Sequence, residues 1–206
     1  YKRKEYTLKG YRVLVFAYQY DPLTESGPQA DILPVGLIVM ANAIRKNAPA
    51  TFRYFKAQGV KIKVISGDNP ATVAEIARLA GIDNAENYID AALLDTDEKL
   101  YNAAREYTVF GRVTPRQKQK LVSAMQEMGH TVAMTGDGVN DILAMKRADC
   151  GIAMASGSEA VSQAARVVLM DSDFAHMPSV VAEGRRVVNN IQRSACLLYT
   201  SDAADE

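Results

Sequence analysis

Apolar residues follow two alternating rhythms along this chain. Short apolar runs recur at 33–40, 61–65, 108–111, 131–134, 151–154 and 167–170, and each predicts a strand. Between and after them lie segments with apolar residues at helical spacing, near 48–58, 71–79, 97–107, 115–128, 141–147, 159–165 and 178–195. Strands alternating with helices predict an α/β fold, a parallel sheet with helices on both faces. Residues 20–31 break the rhythm: Pro22, Ser26, Gly27 and Pro28 stand between two apolar strands and predict a linker. No internal repeat or low-complexity stretch is visible.

Three of the strand-to-helix passages carry chemistry. The apolar run 130–134 stops at Thr135-Gly136-Asp137-Gly138-Val139-Asn140-Asp141. Ligands of open α/β sheets bind at such strand ends. Two carboxylates four residues apart can hold Mg²⁺, a hard cation that takes oxygen ligands and partners phosphate. A polar loop capping the next helix, with Asn140 or Asp141 as N-cap, would explain one acid but not the whole pattern. The run 61–65 ends in Ser66-Gly67-Asp68-Asn69-Pro70. There a hydroxyl and the peptide N–H groups of Gly67 and Asp68 can face an anion at the start of a helix. The same residue types also make ordinary turns.

The third passage is Phe110-Gly111-Arg112-Val113-Thr114-Pro115-Arg116-Gln117-Lys118. Thr114 reads as an N-cap and Pro115 as the first helical residue. That places Lys118 in a first helical turn, where negative charge is favoured. A phosphate and a ring of aspartates would account for it; taken alone, a solvated surface lysine would do as well. Asp90, Asp95 and Asp97 read as caps and surface charge.

Composition narrows the classes. Formal net charge is zero, which lacks the basic footprint of nucleic-acid binders. Two cysteines, Cys150 and Cys196, suggest neither a disulfide framework nor a zinc site, and a reducing compartment fits. No run of about 18 apolar residues is present, so the chain itself is expected to be soluble.

Hydroxyl-Gly-Asp, then Arg-x-x-Pro-x-x-Lys, then Thr-Gly-Asp-Gly-Val-Asn-Asp, in this order, resembles the phosphorylation domain of P-type ATPases, ion pumps of the haloacid dehalogenase superfamily. The resemblance runs from about Tyr6 to Ala195 and implies a Rossmannoid sheet. It implies Mg²⁺ and ATP, with Asp137 binding the metal and Asn140 and Asp141 completing the site. It assigns catalytic roles to Lys118, Ser66, Gly67 and Asp68, and places Lys118, Ser66, Gly67 and Asn140 at the phosphoryl group, with Ser66 in place of the family's threonine. Arg112 and Asp68 fall on the nucleotide side. Arg12, in Lys9-Gly10-Tyr11-Arg12-Val13-Leu14, matches an arginine that reaches nucleotide phosphates; an outward-facing strand arginine is the other reading.

Two departures from the family stand out. The phosphorylated aspartate belongs to an Asp-Lys-Thr-Gly-Thr motif, and no Asp-Lys occurs here. That motif would lie upstream of Tyr1, on a central strand whose loss truncates the sheet, and the isolated chain is expected to be inactive and aggregation-prone. Where the family has Asp-Pro-x-Arg, this chain has Asn42-Ala43-Ile44-Arg45.

The implied organisation is the end of a nucleotide-binding domain and hinge at 1–30, the phosphorylation domain at 31–185, and a stalk helix toward a membrane span at 186–195. Residues 196–206 resemble a translated sequencing adapter, to be excluded from fold reasoning. The implied parent is a bacterial pump at the cytoplasmic face of the membrane. Its partners would be ATP and a transported cation, Ca²⁺ by general similarity, with no nucleic acid. The rival readings are a soluble phosphatase of the same superfamily and a non-catalytic nucleotide- or Mg²⁺-binding module.

Overall fold

The structure, a computed structural model, describes residue 6 and residues 11–19, 32–40 and 43–202. The predicted linker at 20–31, Asn42, and the side chain of Arg12 lie outside the described residues. Strands β1 (Arg12–Tyr18) and β2 (Leu33–Met40) pair antiparallel, from Arg12 opposite Met40 to Tyr18 opposite Leu33, with an irregularity between Phe16 and Ala17. All of β2 is exposed, so this ribbon stands apart from the parallel strands that follow.

From residue 48 the predicted alternation holds. The order is α1 (Ala48–Ala57), β3 (Val64–Ile65), α2 (Pro70–Leu79), β4 (Tyr88–Asp90), α3 (Asp97–Glu106), β5 (Val109–Gly111) and α4 (Pro115–Glu127). It continues with β6 (Ala133–Gly136), α5 (Ile142–Arg147), β7 (Cys150–Met154), α6 (Glu159–Ala164), β8 (Val167–Leu169) and α7 (Met177–Asp202). The strands form two parallel sheets of three, in the orders β3-β5-β4 and β6-β7-β8. Strand β4 carries no apolar run to announce it. Only Ile89 packs on the core, beside Phe110. The predicted strand at 61–65 shrinks to two residues. Helix α7 runs unbroken past 195 to Asp202, across the predicted adapter boundary.

Helix α4 is the clearest case of sequence dictating structure. Thr114 Oγ1 accepts the Gln117 N–H while Gln117 Oε1 accepts the Thr114 N–H, a complete capping box with Pro115 at the first turn. The helix buries two neighbouring residues into two different cores. Leu121 packs with Leu100 and Phe110 over the first sheet. Val122 packs with Met134, Met145 and Val161 over the second. Each such burial contributes about 1.5–3 kcal/mol. Met125 touches both cores, so α4 fixes one sheet against the other. On the opposite face Phe55 of α1 packs with Ile152, Leu169 and Met177.

Candidate functional site at the strand ends

The strand ends of β3, β5 and β6 hold the residues singled out in the sequence. Asp141 closes a 3₁₀ turn, Val139–Asp141, directly after β6. Its Oδ1 accepts a 2.6 Å bond from Lys118 Nζ, and both residues are buried, at 8 % exposure each. A lysine in a first helical turn is therefore compensated by a carboxylate from the next strand–helix passage. The close approach depends on glycine: a Cβ at Gly136 would lie 2.6 Å from Asp141 Cβ and 2.8 Å from its Oδ2. Asp141 Oδ2 also accepts the Gly138 N–H at 3.4 Å.

Asp137 and Asn140 are exposed, and neither side chain has a hydrogen-bond partner among the described residues. The Asp137 backbone is held instead. Its carbonyl accepts the Ser158 N–H at 3.3 Å, and a Cβ at Gly157 would come within 2.5 Å of that oxygen. Gly157 is a site residue the motif reading missed; its only sequence signal is a glycine just past the end of β7.

The second group forms around Ser66. Its Oγ accepts the Asp68 N–H at 3.1 Å, closing the turn, and Asn69 caps α2 by accepting the Ala71 N–H. Gly67 is exposed with open space around it. Asp68 O accepts the Arg112 N–H at 2.8 Å. Arg112 has φ +53°, a left-handed conformation uncommon outside glycine. Its guanidinium bonds Asp90 Oδ2 at 2.9 Å while the other Asp90 oxygen caps the 3₁₀ turn Ala91–Leu93. Asp90 is thus the cap expected of it and also the residue that aims Arg112, a role sequence reasoning overlooked because β4 was invisible. A Cβ at Gly111 would overlap Pro70 at 2.4 Å, so the passages after β3 and β5 are pressed together.

Among the described residues no hydrogen bond joins the Ser66 group to the Asp137–Asp141 group, and no cluster of three or more His, Cys, Asp or Glu residues is present. The donor set after β6 nevertheless fits Mg²⁺. It offers an uncommitted carboxylate on Asp137, a second carboxylate on Asp141 and an amide oxygen on Asn140. Mg²⁺ is typically bound through one or two carboxylates and keeps several waters.

Comparison with known proteins places the chain in a family. The family model for haloacid dehalogenase-like hydrolases matches residues 6–149. A probable cation-transporting ATPase, exp7, of Streptococcus pneumoniae is 47% identical over 189 residues, 91% of this chain and 24% of that protein. The calcium-transporting ATPase CtpE of Mycobacterium bovis is 46% identical over 193 residues, 93% of this chain and 24% of that protein. Among solved structures, a zinc-transporting PIB-type ATPase in its E2.Pi state superposes with TM-score 0.65 at 23% identity, over 93% of this chain and 26% of that one. That likeness concerns the fold alone. The chain belongs to the haloacid dehalogenase-like hydrolases, and within them to the phosphorylation and nucleotide-binding region of the P-type cation-transporting ATPases. It spans about a quarter of the length of the curated relatives it matches.

Proposed function

We infer that this chain is the phosphoryl-handling part of an ATP-driven cation pump. The observation that carries the reading is the buried Lys118–Asp141 pair at 2.6 Å, set beside an uncommitted Asp137 at the end of β6. Asp137, with Asp141 and Asn140, would hold Mg²⁺, which supplies neutralising charge to phosphoryl oxygens. Lys118 keeps Asp141 in place and presents its remaining N–H donors to an incoming phosphoryl oxygen. Ser66 offers its hydroxyl and Gly67 its free N–H to the same group, as fixed donors that need no reorganisation when charge develops. Asp68 closes the turn through its N–H and anchors Arg112 through its carbonyl, and its exposed carboxylate would stand on the nucleotide side.

Arg112, aimed by Asp90, and Arg12 would face the nucleotide. The sequence contains no Asp-Lys pair, so the carboxylate that accepts the phosphoryl group comes from elsewhere in the protein. The 46% identical relative transports calcium, which supports Ca²⁺ as the cargo. Among the described residues no helix is long and apolar enough to cross a membrane. In this reading residues 1–30 close the nucleotide-binding domain, residues 31–185 are the phosphorylation domain, and α7 links the site toward the membrane at the cytoplasmic face of a bacterial cell.

The test is an MgCl₂ titration followed by amide NMR shifts, paired with an ATPase assay. Shifts confined to 135–141 and lost in Asp137→Asn, with no ATP turnover, are expected. Mg²⁺-dependent turnover by the chain itself, abolished in Asp137→Ala, would overturn the account of the acceptor.

A further inference from the structure

Lys118 and Arg112 differ in exposure. Lys118 is buried, whereas 55% of the Arg112 side chain is exposed. A solvent-facing guanidinium beside a phosphate site would take any phosphate, because its rigid fork of donors matches the oxygens whatever else they are attached to. Arg112 is not free to do so. Its Nη1 donates to Asp90 Oδ2 at 2.9 Å, and the Asp90 side chain is only 22% exposed.

The Asp90 carboxylate is fixed against displacement by an incoming anion. Its other oxygen accepts the Ala92 N–H at 3.0 Å, capping the 3₁₀ turn Ala91–Leu93. Ala91 and Leu94, on either side of that turn, are buried in the core with Phe110 and Leu121. Gln117 ties the turn to α4. Its Nε2 donates to Ala91 O at 2.8 Å and to Leu94 O at 3.2 Å, while its Oε1 accepts from the Thr114 N–H and hydroxyl at 3.1 and 3.0 Å. A side-chain amide has two N–H donors and two acceptor lone pairs, so Gln117 is fully engaged. From the other side, the Arg112 backbone is held at φ +53° with its N–H on Asp68 O at 2.8 Å.

A guanidinium paired with a fixed carboxylate keeps its remaining N–H donors but no net charge. Such donors add direction to a ligand that is also held elsewhere. They do not hold a small dianion by themselves, since the attraction of the cation and the repulsion of its partner nearly cancel at the ligand. A nucleotide brings further groups and further contacts; inorganic phosphate brings little besides charge.

We propose that Asp90 is a specificity-determining residue: by compensating Arg112, it keeps the site from holding free phosphate and so favours a nucleotide over the phosphate that hydrolysis releases. This deepens the phosphoryl reading and rests on it. Asp90 acts through Arg112 and touches no reacting atom. A mere brace and a charge filter predict opposite signs. Cutting a brace weakens every ligand, whereas removing a compensating charge strengthens the small anion.

Asp90→Asn separates the two, because asparagine caps about as well as aspartate and carries no charge. The full 206-residue chain and the variant are titrated with inorganic phosphate and with ATP, each at fixed MgCl₂, and followed by amide NMR shifts at 110–114. Phosphate affinity in Asp90→Asn should rise about three- to tenfold at low salt, the effect of a unit charge a few ångströms from a dianion in water. ATP affinity should rise less, since Mg²⁺ already neutralises its phosphates, so the preference for ATP narrows. The gain should vanish in Asp90→Asn/Arg112→Gln and shrink at high salt. Phosphate affinity unchanged or lowered in Asp90→Asn, or a gain that survives the loss of Arg112, would overturn the proposal and leave the phosphoryl reading standing. ATP that moves no residue of the parent chain would overturn that reading and the specificity resting on it. If Asp90→Asn does not fold, Asp90→Ser, another uncharged cap, reads the same ratio.

Discussion

Lys118 and Asp141 place two opposite charges almost out of water, and that makes each dependent on the other. Removing one leaves an uncompensated buried charge, whereas replacing both with apolar residues removes the problem. Lys118→Met should therefore cost about 3 kcal/mol in urea unfolding, and the Lys118→Met/Asp141→Leu double variant should regain most of it. A double variant that sums the two single losses would contradict the pair's coupling. Gly157 is constrained by backbone on three sides, with Asp137 O at 2.5 Å, Asp137 Cα at 3.0 Å and Met154 O at 3.0 Å from an added Cβ. Gly157→Ala should cost about 1–3 kcal/mol by the same assay. The residues of the site were legible from the sequence where they sit in contiguous motifs, as Ser66, Lys118 and Asp137 do. Asp90 and Gly157 were not, because their partners, Arg112 and Asp137, are about twenty residues away in the chain and only the fold brings them together.

Elements with local signals emerged as expected. The capping box of α4 is complete, and Thr114→Ala should cost about 1 kcal/mol, read from thermal or urea melts. Strand β4 escaped because three residues with one core-facing side chain carry no periodicity; its pairing with β5 is a tertiary fact. The start of β6 depends on a carboxylate outside it: Asp149 accepts the Val132 N–H at 2.8 Å and a bond from Gln126. These bonds, the backbone one first, hold the Asp149 carboxyl below its ordinary range. Its contribution is therefore fully present above the unfolded value near 4 and is lost as pH falls through the lower folded value. The stability gap between the parent chain and Asp149→Asn should be constant at neutral pH and close in acid. Asp173 behaves with the same sign, through the Ala175 N–H, then Asn47, with Arg45 and His176 adding smaller electrostatic contributions.

At the scale of the molecule, α4 joins two cores: Leu121 lies in one, Val122 in the other, and Met125 packs against both. The α4 amides should be among the slowest to exchange, and β3, with two residues and one paired edge, among the fastest of the strands. Hydrogen exchange with mass spectrometry reads both at once; a protected β3 in the monomer would mean that its free edge is already covered. The overall class, a parallel sheet layered by helices, was visible in the alternation of runs. The antiparallel β1–β2 ribbon was not. Period and length alone do not distinguish a strand buried in a parallel sheet from one exposed in a ribbon.

Every ladder between residues 64 and 169 is parallel. Parallel neighbours cannot be joined by a tight turn; each pairing waits for an intervening stretch of a dozen or more residues to be made and folded back. No hairpin within that span can form early and serve as a template. The chain must instead close several long loops before any strand is rewarded, which belongs to the slow end of folding for its size. Time, as much as stability, is therefore the quantity this topology spends. During that interval its apolar strands are exposed to one another, and to neighbouring copies, before the helices arrive to cover them.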